Sequence, residues 1–303
     1  MRYALLHILF ALAFAPLLAG VINRVKAFFG GRRGPSLLQL YYDLFKLLRK
    51  GAVYSRTTSW VFRAGPCIAL AAVLLALVLT PLGTTPALLA FPGDLLLVVY
   101  ALGLMRFVTV LAALDTGSAF EGMGASREVQ FSALAEVALL VGLLAVAARV
   151  EAFSLSVLAR QAWSGGMAWP SDAILLLVAA ALLVVLLAEN ARLPFDDPNT
   201  HLELTMIHEV MILDHGGVDL AMIEYASALK LWVMGAILVS LALPLPTAQP
   251  MLNLVAGLGA IMVLALLIGV IESVMARLRL VRVPQLLVTA GILSFLAVMV
   301  AMR

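Results

Sequence analysis

The sequence predicts an all-α integral membrane protein, a bundle of about eight transmembrane helices with an amphipathic helix lying in the interface after the first span. Three observations predict it. The chain is 64% hydrophobic and 12% charged, with a mean hydropathy of +1.09. Its apolar runs are long: Ala173 to Ala188 is unbroken, and Leu254 to Ile271 is interrupted only by glycine. Its Lys and Arg residues cluster in alternate connections. In lipid each backbone polar group has to be satisfied within its own segment, which makes the class helical.

The spans read near 3–22, 61–80, 94–114, 129–148, 172–190, 219–243, 252–272 and 283–302. They form one membrane domain over residues 1–303. Two connections at the same end carry its polar chemistry: 23–60, with the amphipathic helix, and 189–218, which is acidic. No A-x-A cleavage pattern follows the first span, so that span reads as a retained helix. The first connection and its borders carry Arg24, Lys26, Arg32, Arg33, Lys46, Arg49, Lys50, Arg56 and Arg63. Arg127, Arg192, Arg277, Arg279 and Arg282 fall on the same side, against Arg2, Arg149, Arg160 and Arg303 on the other. This asymmetry places both termini outside and the basic connections in the cytoplasm of a bacterial or archaeal plasma membrane. The pI of 9.2 follows from the same asymmetry and implies no nucleic-acid partner.

Within 23–60, the stretch PSLLQLYYDLFKLLRK is too short to span. Its polar positions Gln39, Asp43, Lys46, Arg49 and Lys50 recur at three and four, giving one polar stripe on an apolar helix that lies in the interface plane. The connections 81–93 and 244–251 are short, contain proline and lack Lys and Arg, as outer turns should. In 149–171, Trp163 and Trp169 mark an interface. In the acidic connection, Thr200 with Glu203 fits a capping box and predicts a helix over 200–213, stopped by Gly216–Gly217.

Seven acidic residues, Glu189, Asp196, Asp197, Glu203, Glu209, Asp214 and Asp219, fall within thirty-one positions. Glu128 opens span four and Glu136 lies two turns deeper; Arg106 is two turns inside span three. Glu224 enters span six, with Lys230 below it. Asp94 and His7 approach from the opposite side. Snorkelling at helix ends accounts for Glu189, Glu272 and the Arg277, Arg279, Arg282 group. It does not reach Glu136, Lys230 and Arg106, which leaves either structural pairing inside the bundle or a buried polar route that opens to the cytoplasm. His201, His208 and His215 recur every seven residues, about 10 Å apart on a helix, too far for neighbours to share a metal. Titration at an interface or plain packing suits them better. The single Cys67 allows neither a disulfide framework nor a cysteine-ligated cluster. No nucleotide-binding, zinc or nucleophile-elbow motif is present. The alternative of a stand-alone secondary transporter predicts inverted repeats and broken helices, and neither is seen.

GRRGPSLLQLYYDLFKLLRK (31–50), LDTGSAFEGMGASREVQFSALAE (114–136) and ENARLPFDDPNTHLELTMIHE (189–209) resemble the subunit 1 family of respiratory complex I. They are similar in particular to its branch in the membrane subunits of group 4 nickel–iron hydrogenases, of formate hydrogenlyase and hydrogenase-4 type. The resemblance implies a non-catalytic subunit that holds no cofactor itself. It would anchor a small iron–sulfur subunit and a large hydrogenase-like subunit, and join them to antiporter-like membrane subunits. Iron–sulfur clusters, and a nickel–iron centre where the large subunit binds nickel, would sit on those partners. Arg32, Arg33, Gly34 and Pro35 match the first-loop motif. Glu189, Arg192, Pro194, Phe195 and Asp196 match the third-loop motif, with Glu203 beside it, and Glu136 matches the acid of span four. The docking surface expected from both loops also takes in Asp43, Asp197, His201, His208 and Glu209. The expected ion route comprises Glu128, Glu136, Arg106, Glu189, Glu224, Lys230 and Glu203. After Asp196 the sequence departs from the acidic run usual in the family. The departure weighs against the quinone-site role of the family's NADH:quinone oxidoreductase members and leaves the large subunit's metal open.

Overall fold

In the computed structural model, residues 2–163, 173–196, 206–242 and 249–302 are described, and they are helical apart from connections. The order is α1 (Arg2–Phe29), α2 (Gln39–Leu48), α3 (Trp60–Leu79), α4 (Asp94–Asp115), α5 (Ala119–Val150), α6 (Leu155–Trp163), α7 (Ala173–Glu189), α8 (Gly217–Ala242), α9 (Pro250–Val274) and α10 (Val283–Ala301). Seven of these are long and apolar enough to cross a bilayer. The eighth expected span, α7, is equally apolar, and its seventeen described residues cover about 26 Å. α5 begins ten residues before the expected 129 and runs for thirty-two, so its first turns project beyond the bilayer at the end where the basic connections gather.

α8 is the axis of the bundle. It packs against α1, α3, α7 and α9 and is buried on nearly every side, with Trp232 fully enclosed. Close approach depends on small residues. Ile22 and Val25 of α1 lie against Gly269 of α9, where a Cβ would stand 2.7 Å from Val25. Pro16 inside α1 removes the N–H that would bond the Leu12 carbonyl. The Tyr225 hydroxyl of α8 donates to that carbonyl at 2.9 Å, and the Tyr41 hydroxyl of α2 donates to the next one, of Ala13. The carbonyl freed by the proline is thus satisfied from α8, and α2 bonds the one beside it.

One end of the bundle collects 30–59, 115–119, 190–196, 206–216 and 275–282. Asp115 accepts the Ser59 and Phe62 N–H groups at 2.6 and 3.3 Å, a carboxylate at the N-terminus of α3. His215 stacks on Phe62 at 3.9 Å between ring centroids. Gly217 has a φ of +58° and sits so close to the Gly51 carbonyl that a Cβ would approach within 2.6 Å; only glycine fits both constraints.

The helix expected over 200–213 is not what the described part shows. Met206 to His208 are not helical, and a single 3₁₀ turn covers Glu209–Ile212. The cause is Asp196, whose carboxylate takes the Ile207 and His208 N–H groups at 3.0 and 3.2 Å and so pins the chain before a helix can form. The Thr200–Glu203 capping box, Asp197, His201 and Trp169 lie outside the described residues. Without that helix, His208 and His215 share no helical face: His208 precedes the 3₁₀ turn and His215 follows it.

Candidate functional site

Four helices bring Glu136, Arg106, Glu189 and Lys230 into one line. Arg106 of α4 donates to Glu136 of α5 at 2.9 Å and, through its other terminal nitrogen, to Glu189 at the end of α7. Lys230 of α8 reaches the far oxygen of Glu189 at 2.8 Å and the Glu189 carbonyl at 2.6 Å. Charges alternate along the line, so each ion has an opposite neighbour and the set is neutral as a unit. The Glu189 and Lys230 side chains are 6% and 5% exposed, so taking one partner away would leave an uncompensated buried charge. Glu189 is therefore not a snorkelling residue: it bridges two cations inside the bundle.

The two ends of the line differ. The Glu136 side chain is 30% exposed, and with Arg106 it forms the floor of a lateral groove of about 490 Å³. Tyr100, Leu104 and Phe107 of α4 and Val129 of α5 wall this groove. At the other end Lys230 is buried, and beside the middle of the line Glu128 shares a small cavity with Glu189, Asp196 and Ile207.

A second space of about 290 Å³ lies at the loop end, between α1, α2, the 190–192 turn and α8. Asp43, Arg192, His208, Glu209 and Glu224 line it, with Asn190 and Gln39. Burial pushes the Glu209 carboxyl up to about 7; the Glu224 and Asp196 carboxylates add to the rise and Arg192 opposes it. Burial also holds His208 down to about 4, reinforced by Lys230 and opposed by Glu189. Burial on this wall therefore favours the neutral imidazole at His208 and the protonated carboxyl at Glu209.

The turn from Glu189 to Arg192 joins the two spaces. Arg192 donates its N–H to Leu187 as the cap of α7, and Ala191 takes a φ of +49°. That left-handed residue costs a non-glycine of order 1 kcal/mol. It turns the chain so that Glu189 enters the ionic line while Arg192 faces the loop-end cavity.

The motif residues divide by burial. Arg32, Arg33 and Pro35 are exposed just beyond α1, and Gly34 packs on Ala27. Asp43 accepts from the Gln39 amide at 3.1 and 3.2 Å. Pro194, Phe195 and Asp196, expected to touch a partner, are buried within the chain. Asp196 pairs with Arg277 at 2.7 Å and organises residues 207–208, and the Pro194 carbonyl accepts from Leu278 at 2.9 Å. They shape the loop from inside rather than present it. Glu203, Asp197 and His201 fall outside the described residues.

Sequence reasoning missed two buried acids. Glu272, expected to snorkel, is fully enclosed between Lys26 at 2.9 Å and Arg192 at 3.6 Å. Glu121 accepts the Asp214 N–H at 3.1 Å and the Thr116 hydroxyl, fastening the start of α5 to the 209–216 segment. An acid in the first turn of a helix after a Ser was the available signal for Glu121; for Glu272 there was none. Among the described residues no cluster of three or more His, Cys, Asp or Glu side chains is arranged to hold a metal ion.

The profile of a family described as NADH dehydrogenase matches residues 1–302. The chain is 30% identical over 281 residues to hydrogenase-4 component C of Escherichia coli (strain K12), covering 91% of this chain and 87% of that one. It is 30% identical over 301 residues to formate hydrogenlyase subunit 4 of the same strain, covering 97% and 96%. It is also 30% identical over 240 residues to a subunit of the NADH-quinone oxidoreductase of Anaplasma phagocytophilum (strain HZ), covering 71% and 68%. A chain in the structure of the membrane-bound sulfane sulfur reductase, an archaeal respiratory membrane complex, superposes with a TM-score of 0.85 at 24% identity, covering 99% and 98%. That likeness shows the same fold.

Proposed function

The chain belongs to the NADH dehydrogenase family, the subunit 1 family of respiratory complex I, and from that premise we propose how it works as a membrane subunit of a respiratory-type complex. In this reading the first and third basic loops face the cytoplasm and seat a peripheral arm, made of a small iron–sulfur subunit and a large hydrogenase-like subunit. The exposed Arg32 and Arg33 and the cavity wall at His208 and Glu209 contribute to that seat. Antiporter-like subunits adjoin it in the membrane. Electron transfer in the arm changes charge at the loop-end cavity, and the line Lys230–Glu189–Arg106–Glu136 carries the change toward the lateral groove. The coupled ion is a proton or sodium.

The observation that carries this reading is the alternating ionic line, closed at Lys230 and open at Glu136. A mere anchor needs no charges at that depth, and ionisable groups sunk in a bundle mark ion routes. The test is Glu136→Gln in the intact complex. Electron transfer to artificial dyes should persist, while uptake or release of the coupled ion by sealed vesicles falls at least tenfold. Ion transport equal to the parent's would remove Glu136 from the route.

A further inference from the structure

We propose that the outer face of α2 docks on anionic phospholipid of the leaflet at the loop end, and that this contact seats the inner wall of the loop-end cavity. On the helical wheel α2 divides into three facets. Leu40, Leu44 and Leu47 face the bundle. Leu38, Tyr42, Phe45 and Leu48 share the outer facet and are 46%, 60%, 58% and 57% exposed. Large side chains left bare at four positions of one facet need an apolar cover.

Two observations identify that cover as lipid with negative headgroups. The first is depth. The chain just before α2 presses on α1 at Gly20, whose Cβ would meet the Leu37 carbonyl at 2.1 Å. Gly20 stands near the end of the apolar run 3–22, about two and a half turns before the basic end of α1. Phe28 and Phe29, exposed about 12 Å further along α1, and Trp60, exposed at the start of α3, fit an aromatic belt at this end of the bundle.

The second is charge. Lys46, Arg49 and Lys50 are exposed along and beside the apolar facet. The Arg49 guanidinium lies 4.1 Å over the Phe45 ring, which holds a cation on the apolar facet itself. The one acid of α2, Asp43, is bonded to Gln39 and lines the cavity instead. Lys46 and Lys50 share the polar stripe of Asp43 and Arg49 stands on the apolar facet, so three cations border that facet against the one acid of the helix, the pattern of a helix bound to an anionic surface. The same helix supplies Gln39, Leu40 and Asp43 to the cavity, so lipid that holds the outer face also holds that wall.

The experiment places the intact complex in nanodiscs of phosphatidylcholine alone or with phosphatidylglycerol. It compares the parent with Lys46→Gln/Arg49→Gln/Lys50→Gln and with Arg160→Gln at the opposite end. Each cation contributes about fivefold to partition onto an anionic surface. Phosphatidylglycerol retained through detergent exchange, read by native mass spectrometry, should fall at least tenfold in the triple variant and stay at the parent level in Arg160→Gln. Amide exchange over 39–48 should be faster in phosphatidylcholine alone. If the triple variant fails to assemble, Arg49→Gln alone should show about a fivefold loss. Equal retention in parent and variant overturns the proposal. So does a photoreactive side chain in place of Tyr42 that cross-links to a protein chain rather than to lipid. Neither readout depends on ion transport, so this result and the Glu136 test can fail separately.

Discussion

Two ionic networks lie within this bundle, built from the same chemistry and differing in access to water. In the first, Glu136, Arg106, Glu189 and Lys230 alternate across four helices, and one end opens into the lateral groove. In the second, Glu272 is sealed between Lys26 of α1 and Arg192 of the turn after α7, its side chain wholly inaccessible. A closed group cannot exchange protons without moving its clamp, so the second network fastens α1, α9 and the turn together. An open line can pass a charge along. Access, more than burial or charge, separates a fastening from a route.

The largest expected effect is on the sealed network. Glu272→Ala removes the enclosed carboxylate that Lys26 and Arg192 share and should cost about 3–5 kcal/mol, a range measured for broken buried pairs. The purified complex should show it as a fall in thermal midpoint or a loss of assembly, and adding Lys26→Met should restore part of the loss. If the midpoint holds, Glu272 is not a fastening. Next comes Asp196→Ala, which removes the partner of Arg277 and the acceptor of two loop N–H groups, each buried bond to a charge being worth about 1.5–3 kcal/mol. Limited proteolysis should cut near 206–208 much faster than in the parent. Glu136→Gln should be mild in stability by contrast, below about 1 kcal/mol, because the side chain is partly solvated. A thermal midpoint that falls as far as that of Glu272→Ala would erase the contrast between the networks.

The smallest effect is a pH dependence at Glu209. Its folded value, about 7, stands above the ordinary 4.5. Its contribution is therefore fully present below 4.5 and is lost as pH rises through about 7. Amide protection over 206–212 should decline between about pH 6 and pH 8 and should be flat across that window in Glu209→Gln. A parent profile already flat there would mean that Glu209 titrates elsewhere.

The span count was legible because hydrocarbon imposes one requirement, an apolar helix of sufficient length, that any run of the sequence meets or fails by itself. The amphipathic α2 was legible for a similar reason: its stripe is a local period. Arg106, Glu136 and Lys230 were legible as buried charges from their depth along single helices. Glu272 was misread, and Glu189 was read both as a snorkelling residue and as part of the route, because both stand at helix ends, where snorkelling is the ordinary outcome. Their cations come from other helices and from residues far away in sequence. The described part of the expected 200–213 helix, 206–213, was misread because a capping signal is local, whereas the Asp196 carboxylate that takes the N–H groups of residues 207 and 208 acts from eleven residues away.

By itself, then, the sequence determined that this chain is a multi-pass helical membrane protein, which residues lie too deep for water to account for them, and which loops carry the family motifs. Depth, period and motif are properties of contiguous residues. Only the tertiary structure decided which ion faces which, that Glu136 opens on a groove while Glu272 is sealed, and that Pro194, Phe195 and Asp196 turn inward. Pairing and access depend on how helices far apart in sequence meet, and the energy of a buried charge is set by that meeting rather than by the residue's own neighbours along the chain.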